Sequence, residues 1–199
     1  MLINNIDNEN IKNYAEAMGE VNFRINSIKL LYDCTEIPSP IRVESAVLQV
    51  RKVLELIAFA SLVANKQVYS KIHINKDWHP DKIVKKLEKI NPNFYPVPLI
   101  YKEDVETLIE RPSNFLTKDK FKKKYGMCGE ILHRCNPFKT KMSDKYYQKY
   151  ADFVFELLTD ILNLLDKHLI QLVNENLIWV IDMKGCADGK ASYRPFKKE

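Results

Sequence analysis

Glycine is scarce, with five residues in a chain of 199. Tight turns and left-handed backbone lean on glycine, so a turn-rich β protein is disfavoured. The four cysteines, Cys34, Cys128, Cys135 and Cys186, contain no CxxC pair. Cys128, His133 and Cys135 read C-x4-H-x-C, which is not a standard zinc spacing. No metal and no cofactor is expected. GxxxxGK[ST], GxGxxG, HExxH and GxSxG are all missing, which leaves nucleotide-fuelled and α/β-hydrolase chemistry without a motif. No carboxylates cluster at helical spacing as a metal-dependent nuclease would need. No apolar run is long enough to cross a bilayer, and no membrane partner is expected. The first residues are polar and acidic, unlike a secretory or transit leader. A cytoplasmic protein with reduced thiols is the expectation. There is no internal repeat and no low-complexity run.

What is present is helical periodicity. Apolar and charged contents of 46% and 29% are ordinary for a globular chain. The most apolar long stretch is Val43 to Lys66, where Glu55 is the one strongly polar residue between Val53 and Ala64. A helix greasy on every side is buried on every side, so this segment is expected at the centre of a bundle. Pro38 and Pro40 break the chain before it. Ser39-Pro40 reads as N-cap and first helical position. Ahead of them, Ile11, Tyr14, Met18, Val21, Ile25, Ile28 and Tyr32 recur at steps of three and four, one apolar stripe on a long helix. At a chain terminus such a seam also suits a second subunit.

Later elements follow in order. Pro80 to Ile90 reads as a short helix, apolar through Ile83, Val84, Leu87 and Ile90 and basic on its other side. The prolines of Asn91 to Pro98 exclude a helix there. Val97 to Tyr101 is a short strand or extended arm, and Glu103 to Glu110 another turn or two of helix. Thr117 to Arg134 is a basic helix with Thr117 as N-cap. Ser143-Asp144 caps a final helix expected to run to about Asn174. Leu177 to Asp182 and Ala191 to Phe196 flank an Asp188-Gly189 turn and are expected to form a hairpin. The fold class is therefore mainly α, a helical bundle with a short C-terminal β-hairpin. Residues 1–175 form the bundle, with an insertion at about 73–117, and residues 176–199 form the hairpin appendage.

Two places carry candidate chemistry. Arg51 and Glu55 are four apart and share a helix face, where a solvated stripe becomes an apolar one. They are either a half-buried ion pair that fixes helix register or a polar site inside the bundle. The second place is LHRCNPF. His133 stands near a helix end whose free carbonyls favour a charged imidazole. Such a histidine either caps the helix or exchanges a proton with an RNA 2′-hydroxyl or leaving oxygen. Asn136 caps the same turn or joins that site. Lys120, Lys123, Lys124 and Arg134 make the approach basic, which fits phosphate contact as well as a solvated face. The net charge of +5 permits a polyanion without requiring one.

The segments SPIRVESAVLQVRKVLELIAFAS and YGMCGEILHRCNPF resemble parts of the HEPN superfamily of prokaryotic helical bundles. Arg51 and Glu55 are similar to the R-x3-E of its bundle helices, and His133 and Asn136 to its helix end. The resemblance covers residues 38–66 and 117–174. It implies a dimeric bundle and, in many members, a metal-independent ribonuclease whose signature is an Arg four to six residues before a His. Here those places hold Met127, Cys128 and Gly129, and the nearest upstream cation is Lys124. Members lacking the signature resemble interaction or regulatory modules of bacterial defence and toxin–antitoxin systems. The resemblance thus implies first such a module, contacting RNA. The alternatives are an endoribonuclease that uses His133 with Arg51 or Lys124 on the phosphate, and a structural subunit whose basic faces meet an acidic partner protein.

Overall fold

A helix apolar over most of its surface has to be largely surrounded, and α2 (Ser39–Ala64) is, although Ile41, Leu48 and Lys52 remain exposed, so it is not enclosed on every side. Val47, Val50, Val53, Leu54 and Ile57 are almost completely buried. In this computed structural model, which describes residues 5–66, 79–103, 107–133, 143–173, 177–184 and 191–197, α2 packs against the other four described helices. These are α1 (Asn5–Asp33), α3 (Pro80–Ile90), α4 (Lys118–Leu132) and α5 (Asp144–Leu165). Burying each large aliphatic side chain is worth about 1.5–3 kcal/mol, so α2 holds the bundle together. The chain is mainly α, with a small antiparallel sheet completed by its C-terminal strands.

The helices form where the periodicity places them. In α1, Ile11, Tyr14, Met18, Val21, Ile25 and Ile28 are buried, and Tyr32 is half-buried. In α3, Ile83, Val84 and Leu87 face the core. Thr117 caps α4 by accepting from the Lys120 amide, and Ser143 caps α5 by accepting from the Tyr146 amide. One cap differs. Helix α2 begins at Ser39, Pro38 is its N-cap, and no side chain caps it. Pro38 is already extended, with φ −54° and ψ 139°, so the turn into the helix comes one residue early.

The sheet is larger than a hairpin. Strands β1 (Val97–Lys102), β2 (Thr107–Glu110), β3 (Lys167–Gln171), β4 (Leu177–Asp182) and β5 (Ser192–Lys197) lie in the order β2-β1-β3-β4-β5, all antiparallel. The expected hairpin is β4–β5, with Trp179 opposite Pro195 and Asp182 opposite Ser192. Its Asp188-Gly189 turn lies outside the described residues. The final helix stops at Leu165, not near Asn174. Residues 167–171 alternate, with His168 and Ile170 buried and their neighbours half-buried, a period of two that only a strand makes. Leu172 lies seven residues after Leu165 and four after His168, so it fits both periods. Thr107–Glu110 is likewise a strand, not a helical turn, and it pairs residue by residue with β1.

Buried polar groups tie sheet to helices. The Asn91 side-chain amide donates to the Asn65 side chain at the end of α2 (2.9 Å) and to the Gln171 carbonyl at the end of β3 (2.9 Å). Asn65 in turn donates to the Ser61 carbonyl (2.8 Å). Such a relay is costly unless every member is paired, which fixes the mutual placement of α2, α3 and β3. His168 does the same for α1. Its Nδ1 lies 2.9 Å from the Leu165 carbonyl, which can only accept, so Nδ1 carries the proton. Nε2 then accepts from the Tyr14 hydroxyl at 2.8 Å. Trp179 closes edge-on against Tyr14.

Burial pushes His168 down to about 4 from its ordinary 6.5. A base with a depressed folded value is unprotonated where the unfolded chain takes up a proton, so stability rises with pH across that window. Full stability is expected above pH 6.5, with a loss of about 3 kcal/mol as the pH falls to 4. Urea unfolding of wild type and His168→Gln between pH 7 and pH 4.5 measures it. The wild-type slope should be the steeper; parallel profiles would contradict the neutral, buried imidazole.

Candidate functional site where α2 meets α4

The Glu44–Arg51–Glu55 stripe of α2 is met by tyrosines from its neighbours. The Tyr147 hydroxyl, on α5, donates to Glu44 at 3.3 Å. On α4, the Tyr125 hydroxyl donates to Glu55 Oε1 at 3.3 Å and accepts from Arg51 Nη2 at 2.8 Å. Arg51 and Glu55 also pair directly, Nε to Oε1 at 3.5 Å, and Lys52 reaches the other Glu55 oxygen at 2.7 Å. The Arg51 side chain keeps 28% of its surface and Glu55 18%. The pair is therefore half-buried, and a third residue bridges it.

The guanidinium is further constrained by what it leans on. Its carbon stands 4.3 Å from the centre of the Tyr125 ring. A Cβ built on Gly129 would lie 2.8 Å from Arg51 Nη1. Any larger residue at 129 would displace the guanidinium, so glycine here makes room for a cation. Tyr125 and Gly129 are four apart and share a face of α4. Between them, Cys128 is buried, and burial pushes its thiol up to about 12 against the pull of Arg51 and Lys124. It is a neutral packing residue, not a nucleophile. Burial likewise raises the Tyr125 hydroxyl, while Arg51 pulls it down. That hydroxyl stays protonated and can donate to Glu55.

His133 is the C-cap of α4 and is exposed. Its amide donates to the Gly129 carbonyl at 3.2 Å. It stands one turn beyond the glycine that Arg51 touches, where α-carbons of successive turns put Cβ positions about 5–6 Å apart. The imidazole has no hydrogen-bond partner among the described residues. The structure thus joins Arg51 and Glu55 to Tyr125 and Gly129, and sets His133 at the rim. Asn136 and Arg134 lie outside the described residues, as does Cys135 of the C-x4-H-x-C spacing. Among the described residues no three His, Cys, Asp or Glu side chains gather as metal ligands.

The lysines of α4 are mostly engaged. Lys120 holds Asp160 at 3.0 Å, and Lys124 holds Glu156 at 3.0 Å while lying 5.0 Å from the Phe153 ring centre. Lys118 and Lys122 share Glu88 of α3. Lys123 alone of this set is exposed without a partner among the described residues.

Tyr125 and Gly129 escaped the sequence reading. The signal available was a tyrosine and a glycine one turn apart on a helix that must face α2. Family models, curated proteins and solved structures were compared with the chain, and none matches.

Tyr125→Phe removes the hydroxyl between Arg51 and Glu55 and is expected to cost about 1 kcal/mol in urea unfolding. Gly129→Ala moves the guanidinium away, while alanine's better helix propensity, about 1 kcal/mol, offsets the lost contacts. In the Gly129→Ala background Tyr125→Phe should then cost less, because only the bond to Glu55 is left to lose. Equal costs in both backgrounds would show that glycine does not seat the guanidinium.

Proposed function

We propose that the chain is a HEPN-like interaction or regulatory module, of the kind found in bacterial defence and toxin–antitoxin systems, and that it contacts RNA at the α2–α4 corner. The observation that carries this reading is the seated guanidinium. Glu55 and Tyr125 fix two of its nitrogens, and Gly129 makes room for the third, Nη1. A pre-ordered guanidinium suits a phosphate, because little side-chain entropy is left to lose.

One observation favours a second reading, a metal-independent endoribonuclease. The His133 ring is exposed and unpartnered among the described residues, so it is free to take a 2′-hydroxyl proton while Arg51 holds the phosphate. Arg51, from a neighbouring helix, then stands in for the arginine missing upstream of His133.

Labelled RNA incubated in chelator with wild type, Arg51→Lys and His133→Ala separates the readings. Arg51→Lys keeps the charge but cannot bridge Glu55 and Tyr125, so RNA affinity should fall about tenfold. Affinity unmoved by that change would remove the corner from the proposal. Cleavage by wild type but not by His133→Ala would select the ribonuclease; RNA left equally intact by both would dismiss it.

The same reading includes a second copy of the chain. Phe23 and Leu30 on α1 are 71% and 69% exposed, and Ile41 and Leu48 on α2 continue the surface. Phe23, Leu30, Leu31 and Ile37 line a shallow groove of about 600 Å³. Its charged lining residue, Arg24, is already paired with Glu20 and bonded to Gln49. An uncharged apolar centre is what dimer interfaces present. Light scattering at micromolar concentration should give twice the chain mass, and Phe23→Ser with Leu30→Ser should halve it. A wild-type monomer would count against the dimer.

A further inference from the structure

The sheet has one face on the helices and one away from them. His168, Ile170, Trp179 and Ile181 are buried against the bundle. The cross-strand register then puts Leu169, Val180 and Arg194 in one outward row and Gln171, Ile178 and Phe196 in the next. Tyr101 and Leu108 are directly opposed on β1 and β2 and both are exposed. In a flat sheet β2 and β5 would lie four strand spacings apart, roughly 19 Å. Yet Leu108 shares a cavity of about 220 Å³ with Val180, Arg194 and Phe196. The β1–β2 arm therefore curls over the outward face. It can do so because β1 pairs with β3 only at Val97 and Pro98.

The result is a cleft walled by Leu108, Val180 and Phe196 that also takes in the Lys167–Asp182 pair and Arg194. Phe196 is 48% exposed. Arg194 is exposed and has no ion pair or hydrogen bond among the described residues. At about 220 Å³ the cleft has room for several waters' worth of volume, each about 30 Å³ in the liquid. That suits one planar ring system and is below the usual size of a drug-like pocket. An extended peptide is a poor occupant, because Pro195 removes a donor from the edge strand β5 and blunts strand addition.

We propose that this curled sheet face binds single-stranded nucleic acid. A base stacks in the cleft against Phe196, and Arg194 holds the adjoining phosphate. Lys167 and Asp182 in the cleft satisfy each other at 2.9 Å, and the Ser192 hydroxyl donates to the Asp182 carbonyl at 3.4 Å, so these groups are already engaged rather than set to read a base edge. Stacking of this kind tolerates any base. The site does not rest on the α2–α4 corner, which lies on other elements.

The test uses the full chain and fluorescein-labelled twelve-nucleotide single strands of RNA and of DNA, with a duplex of the same sequence. Wild type should bind both single strands more tightly than the duplex; a preference for duplex would overturn the proposal, and the RNA-to-DNA ratio shows whether the 2′-hydroxyl adds to it. Phe196→Leu keeps an apolar side chain but removes the π-face, and should weaken binding about tenfold or more. Arg194→Gln should lower the slope of log affinity against log salt by roughly 0.7. Phe196→Leu and Arg194→Gln are separate variants read by different quantities, so the outcome does not hang on the folding of one. Arg51→Lys should leave these effects of Phe196→Leu and Arg194→Gln in place, which separates this site from the corner. Cleft variants that bind like wild type would overturn the proposal. So would a wild-type dimer that Phe196→Leu turns into monomer with no change in oligonucleotide affinity, because the face would then be occupied by a second copy.

Discussion

Enclosing most of α2 sets the terms for the rest of the molecule. Its apolar surface requires four helices around it, and they leave little room for charge. Yet α2 carries Glu44, Arg51 and Glu55 on one stripe. Leaving any of them buried and unpaired would cost more than several good packing contacts return. The neighbours answer with tyrosines, Tyr147 from α5 and Tyr125 from α4. A phenol suits this place because its ring packs and its hydroxyl bonds. The corner's geometry thus follows from burying a helix that was not wholly apolar.

The helices could be read from the chain because a period of 3.6 repeats several times in each. Six residues of the α1 stripe proved buried where the spacing put them. Strand β3 could not be read so easily. It is five residues long and follows a helix without a break, and Leu172 satisfies both periods. The curl of the β1–β2 arm was invisible, since it depends on how few residues β1 shares with β3. At the corner, Arg51 and Glu55 were legible because both lie on one helix at a fixed spacing. Tyr125 and Gly129 were not, because what they touch depends on how α4 crosses α2. Local pattern reveals pairs within an element; contacts between elements wait for the packing.

The lysines of α4 teach the same lesson in electrostatics. In the sequence they form a basic run. In the fold Lys118, Lys120, Lys122 and Lys124 each meet a carboxylate from another helix. Exposed pairs of this kind are individually worth little stability, but they cancel the local field. The basic residues left exposed and without a partner among the described residues include Lys123, the α3 stripe of Lys82, Lys85 and Lys89, and Arg194 on β5. They stand on three different elements.

That dispersal constrains any reading with a polyanion as partner. Long-range steering needs one sign of charge gathered in one place, and at physiological salt exposed charges are screened beyond about 8 Å. With a net charge of only +5 and most of α4 neutralised, the overall field contributes little. Recognition must then come from short-range features already in place before the partner arrives. Two regions meet that requirement. At the corner a guanidinium is fixed by Glu55, Tyr125 and the space at Gly129; on the sheet Arg194, without a partner among the described residues, shares a cavity with Phe196. Each combines a cation with an aromatic surface, where attraction survives screening because water is partly excluded. Were the partner a polyanion, a chain so weakly charged would have to select it by contact geometry, with its arginines weighing more than its more numerous lysines.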